Sequence, residues 1–269
     1  MYILVAVFVF LLGLIIGSFL NVVIYRFGSG RSIAKGRSMC MTCSRTLRWY
    51  ELIPVLSFLI QKGRCRRCAS AISHQYPLVE FTTAFIFTAI AFHFLPFVVH
   101  SPTTFIFLVS VYAFLFSILI VIAVYDIRHK IIPDTLVYTY TLVSFLLLFV
   151  NISGIGPLFV MPTLMSVVTG PLCAAPFALL WLISRGRWMG LGDAKLVLGI
   201  GWMLGIERAI TAVTLSFWVG ALVGICILLV SKKNRSMKME IPFAPFLILG
   251  TLIAFLYNLD IFSLAFLLS

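Results

Sequence analysis

Two aspartates stand beside apolar segments in a chain that contains only eight acidic residues. Asp126 follows one apolar segment, and Asp193 precedes another. Two carboxyl groups held together at low polarity do not both ionise easily, so one keeps a proton while the other acts as a base. Such a pair can activate a water molecule against a peptide carbonyl. The two residues are therefore candidate catalytic groups, provided that the fold brings them together.

Asp193 also has a purely structural interpretation. It lies in the stretch Met189-Gly-Leu-Gly-Asp-Ala-Lys195, directly before an apolar segment, where an aspartate can cap a helix. The two glycines of this stretch would let backbone approach closely and leave room for an extended substrate beside the acid. The residues alone leave the cap and the catalytic group equally open.

Asp126 has a similar alternative, because Arg128 or His129 could neutralise it. Asp134 is a competing candidate for the acid pair. However, Pro133 stands directly before Asp134, and a proline followed by an acid is typical of a helix start. A capping role therefore suits Asp134 better than Asp126.

Four cysteines form a second group of reactive side chains. They occur in two C-x-x-C pairs separated by 21 residues, Cys40, Cys43, Cys65 and Cys68. Four thiolates at this spacing suit one tetrahedral Zn²⁺, which would be structural because no coordination position stays open. Redox chemistry of the pairs is the alternative, and His74 could substitute for a ligand. Cys173 and Cys226 lie in apolar segments and are expected to be small core residues.

The composition indicates a membrane protein. Of 269 residues, 62% are hydrophobic and 10% are charged, an apolar share well above that of soluble domains. We expect an all-α polytopic membrane protein, whose first segment is a transmembrane helix and not a removed signal peptide. About eight transmembrane helices are predicted, near residues 2–25, 76–99, 104–125, 134–151, 157–184, 191–207, 209–230 and 241–268. Residues 26–75 form a small cytoplasmic insert between the first helix (1–25) and a seven-helix core (76–269).

The distribution of basic residues orients these helices. Residues 26–75 carry ten Lys and Arg against one acid, Glu51. With this insert in the cytoplasm, 19 of the 20 basic residues fall on the cytoplasmic side, and only Arg208 does not. Because basic residues accumulate in cytoplasmic loops, both termini are predicted to lie outside. Topology and anionic lipid then explain the net charge of +12, without nucleic acid as a partner.

Several motifs, in order along nearly the whole chain, resemble one family. They are Gly17-Ser-Phe-Leu-Asn-Val-Val-Ile-Tyr-Arg26, the paired C-x-x-C insert, Tyr76-Pro-Leu-Val-Glu80, Asp126-Ile-Arg-His-Lys-Ile-Ile-Pro-Asp134, Gly190-Leu-Gly-Asp-Ala-Lys195 and Ile241-Pro-Phe-Ala-Pro-Phe246. This set resembles the bacterial type IV prepilin peptidases, Gly-x-Gly-Asp intramembrane aspartic proteases that are also called leader peptidase/N-methyltransferases. Ala244 departs from the glycine that is common in the family, which affects only local backbone shape.

The resemblance implies that Asp126 and Asp193 are the catalytic aspartates of an endopeptidase in the bacterial inner membrane, with its active site at the cytoplasmic face. Its substrates would be type IV prepilins and pilin-like proteins (pseudopilins) of type II secretion or DNA-uptake machines, cleaved after a glycine that follows a basic leader. The resemblance also implies methylation of the new N-terminal residue from S-adenosylmethionine, with the insert as the methylation region. No glycine-rich cofactor loop is present, and Glu80 is a candidate for this site or simply a helix-start acid.

Two rival interpretations differ in their use of these residues. A zinc-stapled membrane transporter or receptor would employ Asp126 and Asp193 as an ion or proton relay. An archaeal preflagellin-type peptidase would share the acids, but that family usually lacks a four-cysteine insert.

Overall fold

A computed structural model describes residues 2–151, 159–230 and 241–260, and most of these residues are in helices, while the stretch between the first two long helices consists largely of turns. The helices are α1 (Tyr2–Arg26), α2 (Leu56–Ile60), α3 (Gln75–His93), α4 (Phe97–His100), α5 (Pro102–His129), α6 (Asp134–Leu147), α7 (Leu164–Ser184), α8 (Leu191–Leu204), α9 (Ile206–Val230) and α10 (Ala244–Tyr257). A 3-10 turn spans Trp49–Glu51. Within the described ranges, β pairing is limited to three isolated bridges. The all-α prediction is confirmed.

Eight of these helices correspond to the eight predicted membrane segments. Five of them, α1, α3, α5, α7 and α9, are long and apolar enough to cross a bilayer, so the chain is an integral membrane protein. The others, α6, α8 and α10, have 14 residues each. A helix of that length extends about 21 Å, less than the roughly 30 Å of bilayer hydrocarbon. The number of spans therefore stays a prediction.

Two predicted features lie outside the described residues. They are the cytoplasmic loop at 231–240 and the end of the last span beyond residue 260. The chain divides into two compact units, Met1–Val121 (unit 1) and Ile122–Ser269 (unit 2). Helix α5 begins in unit 1 and ends in unit 2.

In unit 1, α1 and α3 pack closely because a small residue lets their backbones meet. A methyl group on Gly17 of α1 would fall 2.7 Å from the Cα atom of Glu80 in α3. One turn further along α1, the side-chain amide of Asn21 donates a hydrogen bond to the carbonyl oxygen of Tyr76 (3.1 Å). Later residues of α1 thus meet earlier residues of α3, so the two helices are antiparallel. Both ends of the insert therefore lie at the same end of this helix pair.

The insert between α1 and α3 (residues 27–74) contains two hairpins with the same hydrogen bonds. In each hairpin, the backbone N–H of the first cysteine, Cys40 or Cys65, donates to the carbonyl oxygen of the residue five positions later. The N–H of the residue four positions later donates to the carbonyl oxygen of that cysteine, and all four bonds measure 2.9 Å. The residue at the latter position, Ser44 or Ala69, is left-handed, with φ of 53° and 54° respectively. Each C-x-x-C pair thus stands on its own tight turn.

In unit 2, α8 packs against α6 and α7. Small residues again allow close contact, since Gly199 of α8 faces the ring of Tyr140 and the Cα atom of Thr141 in α6. On the α7 side, Gly201 faces the Cα atom of Gly170. These contacts hold α8 against both neighbouring helices and in this way fix where its first turn lies.

The two cysteines that were predicted to be core residues differ. Cys173 in α7 is half-buried, but Cys226 in α9 is exposed, so the prediction is wrong for Cys226. Only 11% of the 18-residue apolar stretch of α9 that could cross the membrane is buried inside the protein. Lipid solvates apolar side chains as well as a protein core does, and an apolar cysteine in a membrane helix therefore need not be internal.

Candidate active site

Asp126 lies near the end of α5, in unit 2, and is 5% exposed. Its Oδ2 atom accepts a hydrogen bond from the backbone N–H of Ala244 (3.2 Å). Ala244 is fully buried and begins α10, where a helix leaves N–H groups without intrahelical partners. The start of α10 therefore supplies a donor and the positive end of a helix dipole to a buried carboxylate. His129, an alternative partner by sequence, packs on the Tyr125 ring at 4.4 Å.

Asp193 lies in the first turn of α8 and is 8% exposed. The N-cap of this helix is Gly190, whose backbone is extended (φ −74°, ψ 147°). Asp193 is the third residue of this helix, the position from which an acid can reach back toward the N-cap backbone, and a methyl group on Gly190 would lie 3.7 Å from its Oδ2 atom. The helix-cap interpretation is thus correct in part, although Asp193 is not the N-cap residue itself.

The two carboxylates lie in the same unit and interact electrostatically with each other. Both are almost completely buried, and each lies at a helix start, where Asp126 accepts the N–H of Ala244 and Asp193 occupies the first turn of α8. Two acids in such surroundings share one proton more readily than they carry two charges. The structure therefore places both predicted acids in one unit, buried and within electrostatic range of each other, as an acid–base pair requires.

Asp134, the competing candidate, has different surroundings. It occupies the first turn of α6 directly after the N-cap residue Pro133, as the helix-start interpretation predicts. Its Oδ1 atom accepts a hydrogen bond from Nζ of Lys195 (2.6 Å), and 63% of its side chain is exposed. Lys195 also lies over the ring of Tyr138, 4.9 Å from its centroid. This ion pair links α6 to α8 and leaves Asp134 outside the buried acid pair.

The two glycines before Asp193 differ in their neighbours. A methyl group on Gly192 would lie 2.9 Å from Cβ of Ile132, whereas one on Gly190 would meet only an Asp193 carboxylate oxygen at 3.7 Å and a backbone nitrogen at 3.9 Å. The expected close approach is therefore found at Gly192. Gly190 instead leaves open space beside the Asp193 carboxylate.

The four cysteines of the insert come together in unit 1. Their Sγ atoms all lie within 4.8 Å of one another, and those of Cys40 and Cys68 are 3.8 Å apart. Sulfurs that surround a tetrahedral Zn²⁺ at about 2.3 Å are about 3.8 Å apart, whereas a disulfide needs about 2.05 Å. The backbone N–H of Cys43 lowers the pKa of the Cys40 thiol to about 6, which favours the thiolate that metals bind. At Cys43, a backbone hydrogen bond is outweighed by burial and the neighbouring thiols, which raise the pKa of that thiol to about 11. The cluster can therefore hold a metal ion, while His74 packs on the Phe58 ring.

Glu51, the single acid of the insert, is buried and fully engaged. Its Oε2 atom accepts the backbone N–H of Arg48 (2.8 Å), and its Oε1 atom pairs with the guanidinium of Arg45. Burial raises the pKa of Glu51, but these two partners outweigh it and hold the pKa below its usual range. The Glu51 carboxylate therefore stays charged, and its hydrogen bond and ion pair connect the 3-10 turn to the first hairpin.

Glu80 lies on the wall of a cavity of about 610 Å³ that α1, α3 and the insert enclose. It is 6% exposed, and its Oε2 atom accepts the backbone N–H of Val55 (2.7 Å). The stacked rings of Tyr25 and Tyr76, with centroids 5.1 Å apart, line the same cavity. Small-molecule sites commonly measure about 300–1,000 Å³. The cavity thus has the size, the buried acid and the aromatic surface of a ligand site.

Sequence reasoning missed two parts of these sites. One is the backbone N–H of Ala244, whose signal was the pair of prolines in Ile241-Pro-Phe-Ala-Pro-Phe246, because proline is typical of a first helical turn. The other is the cavity at Glu80, which depends on tertiary contact between the insert and α3 and leaves no local pattern in the sequence.

The fold and the buried acids define an integral membrane protein of a peptidase class, and comparison with known proteins names the family. Residues 113–225 match the Type IV leader peptidase family, and residues 11–94 match the Bacterial Peptidase A24 N-terminal domain. The chain belongs to the type IV leader peptidase family. The first match contains both aspartates, and the second contains the four cysteines and Glu80.

Individual relatives agree with this assignment. A prepilin leader peptidase/N-methyltransferase of Bacillus subtilis (strain 168) is 35% identical over 94% of this chain and 95% of its own. The protein of that name from Myxococcus xanthus (strain DK1622) is 34% identical over 85% of this chain and 64% of its own. The protein of that name from Pseudomonas aeruginosa is 29% identical over 92% of this chain and 89% of its own. No solved structure matches the chain significantly.

The glycines before Asp193 give a direct test of this local geometry. We expect Gly192→Ala to lower the stability of the protein by about 1–3 kcal/mol, because the added methyl group overpacks against Ile132. Gly190→Ala should cost less than about 1 kcal/mol, as for an N-cap glycine with free space. Thermal unfolding of both variants in the same detergent measures the difference. Equal stability of the two variants would contradict the packing described for Gly192.

Proposed function

We propose that this protein cleaves the leader peptide of type IV prepilins and pilin-like proteins, with Asp126 and Asp193 as a water-activating pair. The observation that carries the proposal is the burial of these two carboxylates in one unit, close enough to influence each other electrostatically. Both lie within the match to a leader peptidase family. This membership favours proteolysis over the ion relay of a transporter, which no observed feature requires.

The proposed reaction is general acid–base hydrolysis. The ionised carboxylate of the pair takes a proton from a water molecule, whose oxygen attacks the scissile carbonyl carbon. The protonated carboxyl gives its proton to the carbonyl oxygen, and a tetrahedral intermediate forms. Collapse of this intermediate breaks the C–N bond, the proton gained from water passes to the leaving amine, and one hydroxyl of the intermediate returns a proton to the other carboxylate, which restores the starting pair. The N–H group of Ala244 holds the Asp126 carboxylate in position, and the first turn of α8 positions Asp193.

The position of the pair suits a substrate that is itself anchored in the membrane. Asp126 stands at the end of α5, and Asp193 stands at the start of α8. In the proposed orientation both ends face the cytoplasmic side of the bacterial inner membrane, and both termini lie outside. A hydrophobic pilin helix can then remain in lipid while its junction with the leader reaches the acids. A basic leader is attracted by these acids and not by the insert, which carries ten basic residues against one acid.

We also propose that the four cysteines bind a structural Zn²⁺. The sulfur distances and the low pKa of Cys40 support this assignment. A bound Zn²⁺ offsets half of the negative charge of four thiolates and crosslinks the two hairpins. An insert of this size with few buried apolar residues depends on such a crosslink for folding.

The cavity in unit 1 is the proposed site of N-methylation. S-adenosylmethionine supplies an activated methyl group when it is bound. Glu80 orients the new N-terminal amine and accepts its proton, and the faces of Tyr25 and Tyr76 attract a cationic donor. The buried position of Glu80 and the size of the cavity support this proposal.

The proposed pair predicts that Asp126→Asn and Asp193→Asn each reduce cleavage of a co-expressed prepilin by about 100-fold or more, because each removes an acid or a base. Mass spectrometry of the pilin N-terminus measures the cleaved fraction. Asp134→Asn is the matched control, since it makes the same change at an exposed acid of unit 2, and it should leave cleavage nearly intact. Persistent cleavage in either variant of the pair, at normal protein level, would contradict the mechanism.

The metal proposal predicts that Cys40→Ser/Cys65→Ser removes zinc from the purified protein and makes residues 27–74 sensitive to protease. Elemental analysis reports the metal, because each substitution takes one ligand from a four-coordinate site. Cys173→Ser, at a cysteine of α7 outside the cluster, should retain full zinc content. Unchanged zinc in the double variant would refute the assignment.

For methylation, we expect Glu80→Gln to lower the methylated fraction of cleaved pilin at least about tenfold, since a hydrogen bond to a charged group contributes ~1.5–3 kcal/mol. The same mass spectrum reports the methyl group, and binding of radiolabelled S-adenosylmethionine checks occupancy of the cavity. Glu207→Gln, at an exposed acid of α9, serves as control. Normal methylation by the Glu80 variant would rule out this site.

A further inference from the structure

The insert exposes a compact group of large apolar side chains, which we call the apolar ridge. It consists of Trp49, Leu56, Leu59 and Ile60, with 77%, 57%, 66% and 61% of their surfaces exposed. The four residues fall within 12 positions of the chain, with Trp49 in the 3-10 turn and the other three on helix α2, and this turn and helix contact each other. Water disfavours so much contiguous apolar surface, and such patches usually mark a contact with a membrane or another protein.

Helix α2 has two different sides. Ser57, Phe58 and the following Gln61 line the cavity of unit 1. The leucines and the isoleucine of the ridge point elsewhere and stay exposed. The helix is therefore a thin amphipathic layer, with the cavity on one side and an uncovered apolar surface on the other.

A hydrogen bond fixes the depth of this layer along a membrane helix. The N–H of Val55, directly before α2, donates to the carboxylate of Glu80 (2.7 Å). Glu80 lies five residues after Gln75, the first residue of α3. At 1.5 Å per residue, the contact lies about 7.5 Å inside the end of that helix. The ridge is thus held beside the first turns of a membrane span and not beyond its end.

Basic side chains flank the ridge on both sides in sequence. Arg48 precedes Trp49, and Lys62 and Arg64 follow Ile60, all with exposed side chains. A tryptophan and leucines on one surface with Lys and Arg around them is the pattern of segments that lie in the bilayer interface. The positive charges complement the anionic headgroups of that interface.

From these observations we propose that residues 49–60 lie in the headgroup region of the bilayer that α1 and α3 enter, with the apolar ridge inserted among the acyl chains and the flanking basic residues on anionic phospholipid. The insert is then attached to the membrane surface at a third point, in addition to α1 and α3. Lipid covers the outer side of α2, while its inner side closes the cavity that contains Glu80.

The test uses the full chain in nanodiscs of phosphatidylethanolamine and phosphatidylglycerol. The photoreactive residue p-benzoylphenylalanine replaces Leu59, and intact-mass spectrometry after irradiation identifies what it captures. We expect phospholipid adducts at position 59, with phosphatidylglycerol over-represented relative to its share of the disc. Arg67, an exposed residue of the second hairpin, is the control position, where the lipid adduct should be severalfold weaker.

Two further variants keep the outcome decisive. If the Leu59 variant does not fold, the same residue at position 56 replaces it on the same ridge. Lys62→Gln/Arg64→Gln in the Leu59 background should abolish the preference for phosphatidylglycerol while lipid capture continues. Crosslinks from position 59 to this chain or to a co-expressed prepilin in place of lipid, or equal lipid capture at positions 59 and 67, would overturn the proposal.

Discussion

The burial of two carboxylates in one membrane-embedded unit is the constraint on which the rest of this structure depends. A buried carboxylate is expensive unless hydrogen bonds and a shared proton compensate for the lost water. Here the compensation comes from the start of α10, whose Ala244 N–H donates to Asp126, and from the positive end of the α8 dipole, because Asp193 lies in the first turn of that helix. Helices α8 and α10 must therefore begin beside the acids. The glycine at the start of α8 and the proline at the start of α10 favour the backbone conformation of a helix start.

Close helix packing makes this arrangement possible. Apolar side chains gain little by leaving lipid for a protein interior, so membrane helices associate where small residues allow their backbones to meet. Gly192 and Gly199 do this along α8, against Ile132 and the Tyr140 ring. The same principle joins α1 to α3 at Gly17 in unit 1. The insert is not held by helix packing. It has few buried apolar residues of its own and contains a cluster of four thiols and one buried acid.

Sequence reasoning reached the features that rest on composition, charge and local pattern. Hydropathy located the eight helices that match the predicted segments, spacing grouped the four cysteines, and the proline before Asp134 correctly marked the start of α6. It failed where tertiary contacts decide. The Ala244 donor to Asp126 joins residues 118 positions apart, and the exposure of Cys226 depends on which side of α9 meets lipid. Hydropathy also could not count spans, because three helices are too short to cross a bilayer unaided.

The central claim is that Asp126 and Asp193 act together on one water molecule. The most direct measurement is a cryo-electron microscopy structure of the full chain in a lipid nanodisc, at a resolution that defines both carboxyl groups and ordered water. We predict one water within about 2.6–3.2 Å of an oxygen of each aspartate. Carboxyl groups too far apart for any single water molecule to contact both, in the state that binds prepilin, would contradict the account.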